Sequence, residues 1–384
     1  MAFTTHGFAK KLRGLRASFG DTLEAVAQQT GMAPHVLQTL EEGGMTPSGD
    51  QVLILADYFK CEFPWLIEDD AENPDENVEL LLRSEGGRLA ASDRHAIAEF
   101  LHLCKSQAIL EEMLSQRHSD HGFQFAPRGR MFKDHGVQCA EQFRAHHQLE
   151  PNGVIPDIFD WLRKAGLRVF RRSLPASPIS GLFVRHPEAG PCILINYAED
   201  KYRQRFSAAH EAGHALMDTD RAYNVSDQSD GSSPDLHEIR ANVFASCFLM
   251  PPDLIRMFGS PDQWRRPEKV IEAADRMFVS IPAVLSALRR DRVLDNETLN
   301  TLRGAGLRLP EKQEPELMGV HTPRQKERLE TLLETGLHAQ YVHQAFEAHY
   351  RGLISLAKLA DMLLVEPAEV GELAGLFGMR VGHG

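Results

Sequence analysis

The sequence predicts a multidomain, mainly α protein with a small α+β core near its middle, flanked by an all-α N-terminal bundle and a helical C-terminal domain. Apolar residues recur at spacings of three and four over roughly the first 70 and the last 80 positions, the period of a helix with one buried face. Between residues 131 and 300, short apolar runs bounded by Pro and Gly alternate with helical stretches, the texture of a mixed core. The third observation is length. At 384 residues, the chain exceeds a single ordinary domain and has ample material for several cores.

Composition narrows the class further. With 42% hydrophobic and 25% charged residues, it is that of a globular protein, and no apolar run approaches the roughly 18 residues that span a bilayer. The N-terminal "MAFTTHGFAKKLRGLRASFG" interleaves charge with apolar residues and so lacks a secretory signal's apolar centre; a cytoplasmic location without membrane contact is expected. Five cysteines (Cys61, Cys104, Cys139, Cys192, Cys247) lie far apart without a C-x-x-C pair and read as reduced thiols. The formal charge of −12, from 42 basic and 54 acidic residues, disfavours nonspecific attraction to nucleic acid, so any DNA contact must be local.

Residues 1–70 read as a helical unit. Phe8, Leu12 and Leu15 share one face of a first helix. Leu23, Val26 and Ala27 then face Val36, Leu37 and Leu40 across a break at Gly31, with Asp21 or Thr22 as cap, which is helix-turn-helix spacing. The segment resembles an XRE-type repressor domain, including the closing helix "TPSGDQVLILADYF". Five basic residues (Lys10, Lys11, Arg13, Arg16, Lys60) stand against ten acidic ones, and the second helix of the pair offers His35, Gln38 and Thr39 without Arg or Lys. DNA reading leans on those two cations, so the unit reads equally as a DNA binder or as a protein-interaction or dimerisation bundle.

Residues 71–130 read as a helical linker, opened by the acidic "EDDAENPDEN" and carried by a long helix capped at Ser92 or Asp93. In 131–300, "KDHGVQCAEQFRAHHQL" and "IPDIFDWLRKAG" read as helices and "LRVFRR", "ISGLFV" and "CILINY" as strands. A helix around "EKVIEAADRMFVSIPAVLSALRR" is expected further on. Residues 301–384 are helical. A weak echo links three places: Leu23, Ala27, Met32, Pro34 and Leu37 align with Leu356, Ala360, Val365, Pro367 and Val370 at an offset of 333, and Ala274, Val279 and Val284 repeat the spacing. These read as three small helix-turn-helix packing units.

The chemistry concentrates in "RFSAAHEAGHALMD". Positions i and i+4 share a helix face, so His210 and His214 offer two imidazoles to one point, with Glu211 beside them. Zinc with a general base suits that pattern, since the metal acidifies a bound water and the carboxylate takes its proton. Gly213 permits a neighbour's close approach. A catalytic zinc commonly takes three protein ligands, and downstream "LHEIRANVFASCFLMP" is an almost wholly apolar helix that carries Glu238, a carboxylate costly to bury unpaired. His237 competes as third ligand, but only Glu238 shares a face with Asn242, Ala241 and Ala245; Asn242 then orients a ligand from behind. The donor set suits one zinc ion per chain best, while manganese or iron would tolerate it.

With "ISGLF", "ILINYAEDKYRQRFSAAHEAGHALMD" and "EIRANVFASCFLMP", the chain resembles the ImmA/IrrE family of bacterial zinc metallopeptidases over residues 131 to 285. The resemblance implies a zincin-like core, His210, His214 and Glu238 as zinc ligands and Glu211 as catalytic glutamate. It also implies cleavage of a transcriptional repressor under a stress or DNA-damage-type signal, releasing a defence or repair operon. Family members frequently carry an XRE-like domain. Two positions depart from the pattern: Arg240, where an acidic residue is often found and which should lie off the metal face, and Asp218, where histidine is common. Expected partners are a helix-turn-helix repressor as substrate, single- or double-stranded DNA as effector or target, and a second copy of the chain. The alternative is a DNA-binding regulator whose peptidase fold serves as a sensor.

Three further readings concern control. Tyr223, Arg203, Arg205 and His237 are the candidates to stabilise an oxyanion. The polar "TDRAYNVSDQSDGSSPD" reads as a lid over the cleft or as a plain loop. Cys104, on the linking helix, is the candidate inhibitory fourth ligand, a thiolate withdrawn when domains move.

Overall fold

The computed structural model describes all residues except 1–2, 72, 74, 77–78, 80, 83–86, 88, 117–121, 228–234, 310–311, 313, 318–319, 321 and 380–384. Five helices open the chain: α1 (Thr5–Phe19), α2 (Leu23–Thr30), α3 (Pro34–Glu42), α4 (Gly49–Tyr58) and α5 (Phe63–Ile67). Thr22 is the cap of α2, its hydroxyl accepting from the Ala25 amide at 3.1 Å, while Asp21 instead accepts from the Tyr58 hydroxyl at 3.0 Å. Next comes α6 (Ala91–Met113). It starts earlier than expected: Ala90 holds the cap position with no side-chain bond, and Asp93 is buried in the first turn.

The central region begins with α7 (Phe132–His146) and α8 (Ile158–Lys164), then β1 (Arg168–Arg172), β2 (Ile179–His186) and β3 (Gly190–Asn196). It continues with α9 (Lys201–Met217), β4 (Tyr223–Asp227), α10 (Leu236–Leu249), α11 (Pro252–Phe258), α12 (Pro261–Trp264), α13 (Pro267–Arg276) and α14 (Ile281–Arg290). The rest is helical: α15 (Asn296–Gly304), a 3-10 turn at Pro315–Leu317, α16 (Pro323–Glu334), α17 (Ala339–Tyr350), α18 (Leu356–Met362) and α19 (Val370–Leu376). No described helix is long and apolar enough to cross a membrane, and all five cysteines are unpaired.

The sheet has the order β1-β3-β2-β4, with β1 parallel to β3 and the other pairs antiparallel. Three strands fall where the apolar runs put them. β4 corrects the loop expected over this stretch: Tyr223 to Asp227 pairs with β2 and forms one edge of the sheet. The lid reading of that loop rests largely on 228–234, outside the described residues.

Alternation along the strands gives the sheet two buried faces. Val169, Phe183, Ile193 and Ile195 face one core, shared with Ala208, Ala209 and Ala212 of α9 and with Phe244 and Phe248 of α10. Phe170, Leu182, Val184, Cys192 and Leu194 face a second core, shared with Phe100, Leu103 and Cys104 of α6, with α1 to α5 and with α17 to α19. The helix read as a linker is thus a core element, buried at Ile97, Phe100, Leu101, Leu103, Cys104 and Leu110.

The three echoing units share a turn. Gly31, Phe278 and Leu364, each four residues after the aligned alanine, have φ of 69°, 55° and 53°, the left-handed conformation that stops one helix and aims the next. The stretch read over 268–290 is accordingly two helices, α13 and α14.

Candidate metal centre

Helix α9 is built to be buried. Asp200 caps it, accepting from the Tyr202 amide at 3.0 Å, and small residues on its faces let sheet and helices approach. A Cβ at Gly213 would stand 3.0 Å from Phe244 Cδ1 of α10, so glycine there sets how close the two site-bearing helices come. On the sheet side, a Cβ at Gly181 of β2 would stand 3.1 Å from Glu211 Cγ. Sequence reading missed that glycine's relation to the glutamate.

Across this contact His210, His214 and Glu238 converge. The two Nε2 atoms lie 3.0 Å apart; Glu238 Oε2 is 3.1 Å from His210 Nε2 and its Oε1 3.2 Å from His214 Nε2. Each ring is held from behind. His210 Nδ1 donates to Asn242 Oδ1 at 3.1 Å, and His214 Nδ1 donates to Asp218 Oδ2 at 2.6 Å. Because those partners accept, each Nε2 presents a lone pair once its ring is neutral, and two such lone pairs and a carboxylate facing one point suit a cation. Donor separations near 3 Å fit a tetrahedral ion, whose ligand edge is about 3.3 Å for zinc bonds of about 2.0–2.1 Å. Among the described residues, these three are the only group of His, Cys, Asp and Glu able to share a metal.

Charge follows the geometry. Burial alone would lower the His214 pKa, but hydrogen bonds to Asp218 and Glu238 and the nearby Glu211 outweigh it and raise it to about 9. For Glu238, burial pulls upward, yet the two imidazoles hold it well below the usual carboxylate range. Glu238 is half-buried, more open than its apolar helix suggested. Glu211 differs from both. It is fully buried, neither carboxylate oxygen makes a well-formed hydrogen bond, and burial pushes its pKa up against the pull of His210, His214 and the nearby Ser226 hydroxyl.

A cleft of about 630 Å³ opens onto His210 and Glu211 and runs along α9 to Arg203, with Asn242, Ser246 and α14 on the other side. It gives a substrate access to the unpartnered carboxylate.

The remaining sequence candidates separate cleanly. His237 is not in the donor cluster; its Nδ1 lies 2.8 Å from Asp218 Oδ1. The two departures at 218 and 240 are one feature, because Arg240 forms an ion pair with Asp218 and Asp218 carries His214. Imidazoles and guanidinium keep Asp218 ionised despite its burial. Asn224 of β4, unnoticed in the sequence, donates to Glu238 Oε1 at 3.1 Å. Arg205 is no oxyanion donor: it is buried and bonds the backbone carbonyls of Phe278, Pro156 and Ile155. Tyr223 packs with the opposite core, while Arg203 does line the cleft. Cys104 is not brought to the cluster. It is buried beside Cys192 in the core on the other face of the sheet, so in this arrangement the sheet stands between its thiol and the histidines.

Two comparisons bear on this site. Residues 162–288 match the profile of the IrrE N-terminal-like domain, a peptidase family; the matched segment holds the sheet, α9, α10 and the three converging donors. A curated protein, the radiation response metalloprotease IrrE of Deinococcus radiodurans, is 35% identical over 103 residues, which is 25% of this chain and 30% of that protein. The chain thus matches under a third of that relative's length. Together the two matches support the ImmA/IrrE family and a metallopeptidase for the central segment.

Proposed function

We propose that the chain is a zinc-dependent endopeptidase that cuts a transcriptional repressor in response to a stress signal. The observation that carries the hydrolytic part is the juxtaposition of two facing imidazole lone pairs and Glu238 with the buried, unpartnered carboxylate of Glu211 at the foot of a cleft. His210, His214 and Glu238 would hold the ion, with Asn242, Asp218 and Asn224 orienting them. When bound, the ion supplies Lewis acidity, which acidifies water toward neutral pH and polarises a carbonyl.

Glu211 does the proton work. Its burial raises its pKa and makes it a stronger base than an exposed glutamate. It accepts a proton from the attacking water as the new C–O bond forms at the scissile carbonyl. As the C–N bond breaks, it returns that proton to the departing amine nitrogen. The cleft holds the peptide over the carboxylate and keeps bulk water away. β4, an edge strand beside the cleft that contributes Ser226 to its lining, suits an extended polypeptide as substrate.

The repressor substrate and the stress signal draw support from the family resemblance and from the relative's name. α1 to α5 support a helix-turn-helix unit at the N-terminus. Its net charge of −5, ten acidic against five basic residues over 1–70, favours docking of a basic protein partner over contact with phosphates. The alternative, a DNA-binding regulator that uses the peptidase fold as a sensor, is favoured by that same bundle and separated by one variant. Glu211→Gln keeps the donors and removes the base. Purified with zinc, it should retain metal yet leave a co-encoded helix-turn-helix repressor uncut, where the parent chain cuts it. Regulation in cells that survives this change, with no cleavage by the parent, would refute the peptidase reading.

A further inference from the structure

The cleft does more than admit a chain. It runs from His210 and Glu211 toward the N-terminal end of α9, between walls formed by Tyr202, Phe206, Met250, Pro282 and Ala283, and Arg203 stands at its far end. These walls are apolar or neutral, and among the described residues Arg203 is the only lysine or arginine lining the cleft. It lies seven residues before His210, two turns along the same helix face, which is a rise of about 10 Å between the two backbone positions.

Its anchoring leaves it free to receive an anion. Arg203 Nε lies 3.1 Å from Glu199 Oε1, whose carboxylate also accepts from the Ser180 hydroxyl at 2.7 Å. Nη2 donates to Ser180 Oγ at 3.2 Å. The Glu199 side chain is only 3% exposed while that of Arg203 is 46% exposed. A buried carboxylate therefore holds Nε, Ser180 takes one Nη2 proton, and the remaining N–H groups of a side chain that lines the cleft are left as donors of the kind that match a carboxylate. Glu199 offsets part of the guanidinium's charge, so what Arg203 brings to the cleft is a set of directional donors rather than a bare cation.

We infer that Arg203 is a specificity-determining residue that selects substrates carrying an aspartate or glutamate about three residues from the scissile bond, on the side directed toward the start of α9. The spacing follows from geometry: an extended peptide advances about 3.3 Å per residue, so about 10 Å takes three. The inference rests on the peptidase reading for its scissile bond, yet its recognition step can be read without cleavage.

The test uses the full zinc-loaded Glu211→Gln chain. It is offered pools of decapeptides blocked at both ends, with one position at a time fixed as Glu, Gln or Lys, and the bound fraction is sequenced by mass spectrometry. Glutamate should be enriched over glutamine roughly 5- to 10-fold at one register, the size of one partly exposed charge-assisted contact. The preference should fall to about one when Arg203→Gln is added and turn toward lysine with Arg203→Glu. Arg203→Lys, which keeps charge without the fork, should retain part of it, and its unfolding midpoint checks that the helix is intact. Absence of any glutamate preference, or a preference that persists with Arg203→Glu, overturns the inference. So does a preference confined to a parallel pool whose C-terminal carboxylates are left free. Failure of the peptidase reading shows separately, as peptide left uncut by the parent chain.

Discussion

Replacing Asp218 with asparagine changes no shape and removes one charge from the point where the rear of the metal centre is held. In the folded protein Asp218 is 1% exposed, accepts from His214 Nδ1 at 2.6 Å and pairs with Arg240, whose side chain is 8% exposed. Asparagine can still accept from His214, but the bond is no longer charge-assisted, a loss of about 1–2 kcal/mol. Through the imidazole that loss reaches the metal, and changes behind a ligating histidine typically weaken affinity about 10- to 100-fold. Arg240 meanwhile keeps a buried charge without its carboxylate, which costs about 3 kcal/mol of folding free energy. The two effects separate in the double variant Asp218→Asn, Arg240→Met: methionine fills the space of the arginine stem without a charge, so stability should return while metal affinity stays low. Zinc affinity from chelator competition and unfolding of the metal-free chain in denaturant read the two independently. Unchanged zinc affinity in the single variant, or affinity restored along with stability in the double, would refute the argument that Asp218 acts through His214.

Two further expectations follow from the same geometry. In the metal-free protein His214 is raised from 6.5 to about 9; a raised pKa contributes stability that is full below the unfolded value and lost as pH rises through about 9. Metal needs the unprotonated Nε2, so zinc affinity should climb by up to about tenfold per pH unit across that window and then level off; chelator competition that shows no pH dependence between those limits would contradict it. Gly213→Ala places a methyl 3.0 Å from Phe244 Cδ1, so the Phe244 ring or α10, which carries Glu238, has to give by a few tenths of an ångström. About 1–3 kcal/mol of stability should be lost, together with metal affinity, and a variant unchanged in both measurements would mean that the contact is not tight.

Much of this was legible in the sequence because it is local. Caps and turn-flanking apolar residues are written within a few positions, which is why spacing narrows the cap to Asp21 or Thr22 and aligns Ala27, Ala274 and Ala360, although the left-handed residues Phe278 and Leu364 that follow carry no such mark. The pair of histidines is local too, and Glu238 shows itself as a carboxylate on an apolar helix. What escaped was long-range or polar. Asp218 and Arg240 are 22 positions apart, and each alone resembles an ordinary surface charge; only the contact of α9 with α10 makes them one unit. β4, "YNVSD", carries a strand's alternation in Tyr223 and Val225, both packed on the second core, but its polar residues hid the pattern. Nor could periodicity reveal that α6 is central, since a helix buried on nearly every side has no preferred face to detect.

The second core has a consequence for how the peptidase segment can be handled. The face of the sheet turned away from the metal is covered by helices from both ends of the chain, α1 to α6 on one side of the sequence and α17 to α19 on the other. Cutting the chain down to residues 131–300 would leave Phe170, Leu182, Val184 and Leu194 facing water, a broad apolar surface that invites self-association. The ends are better regarded as the back wall of the catalytic sheet than as appendages, and whatever grips either terminus leans on the same strands that carry Gly181 beneath Glu211.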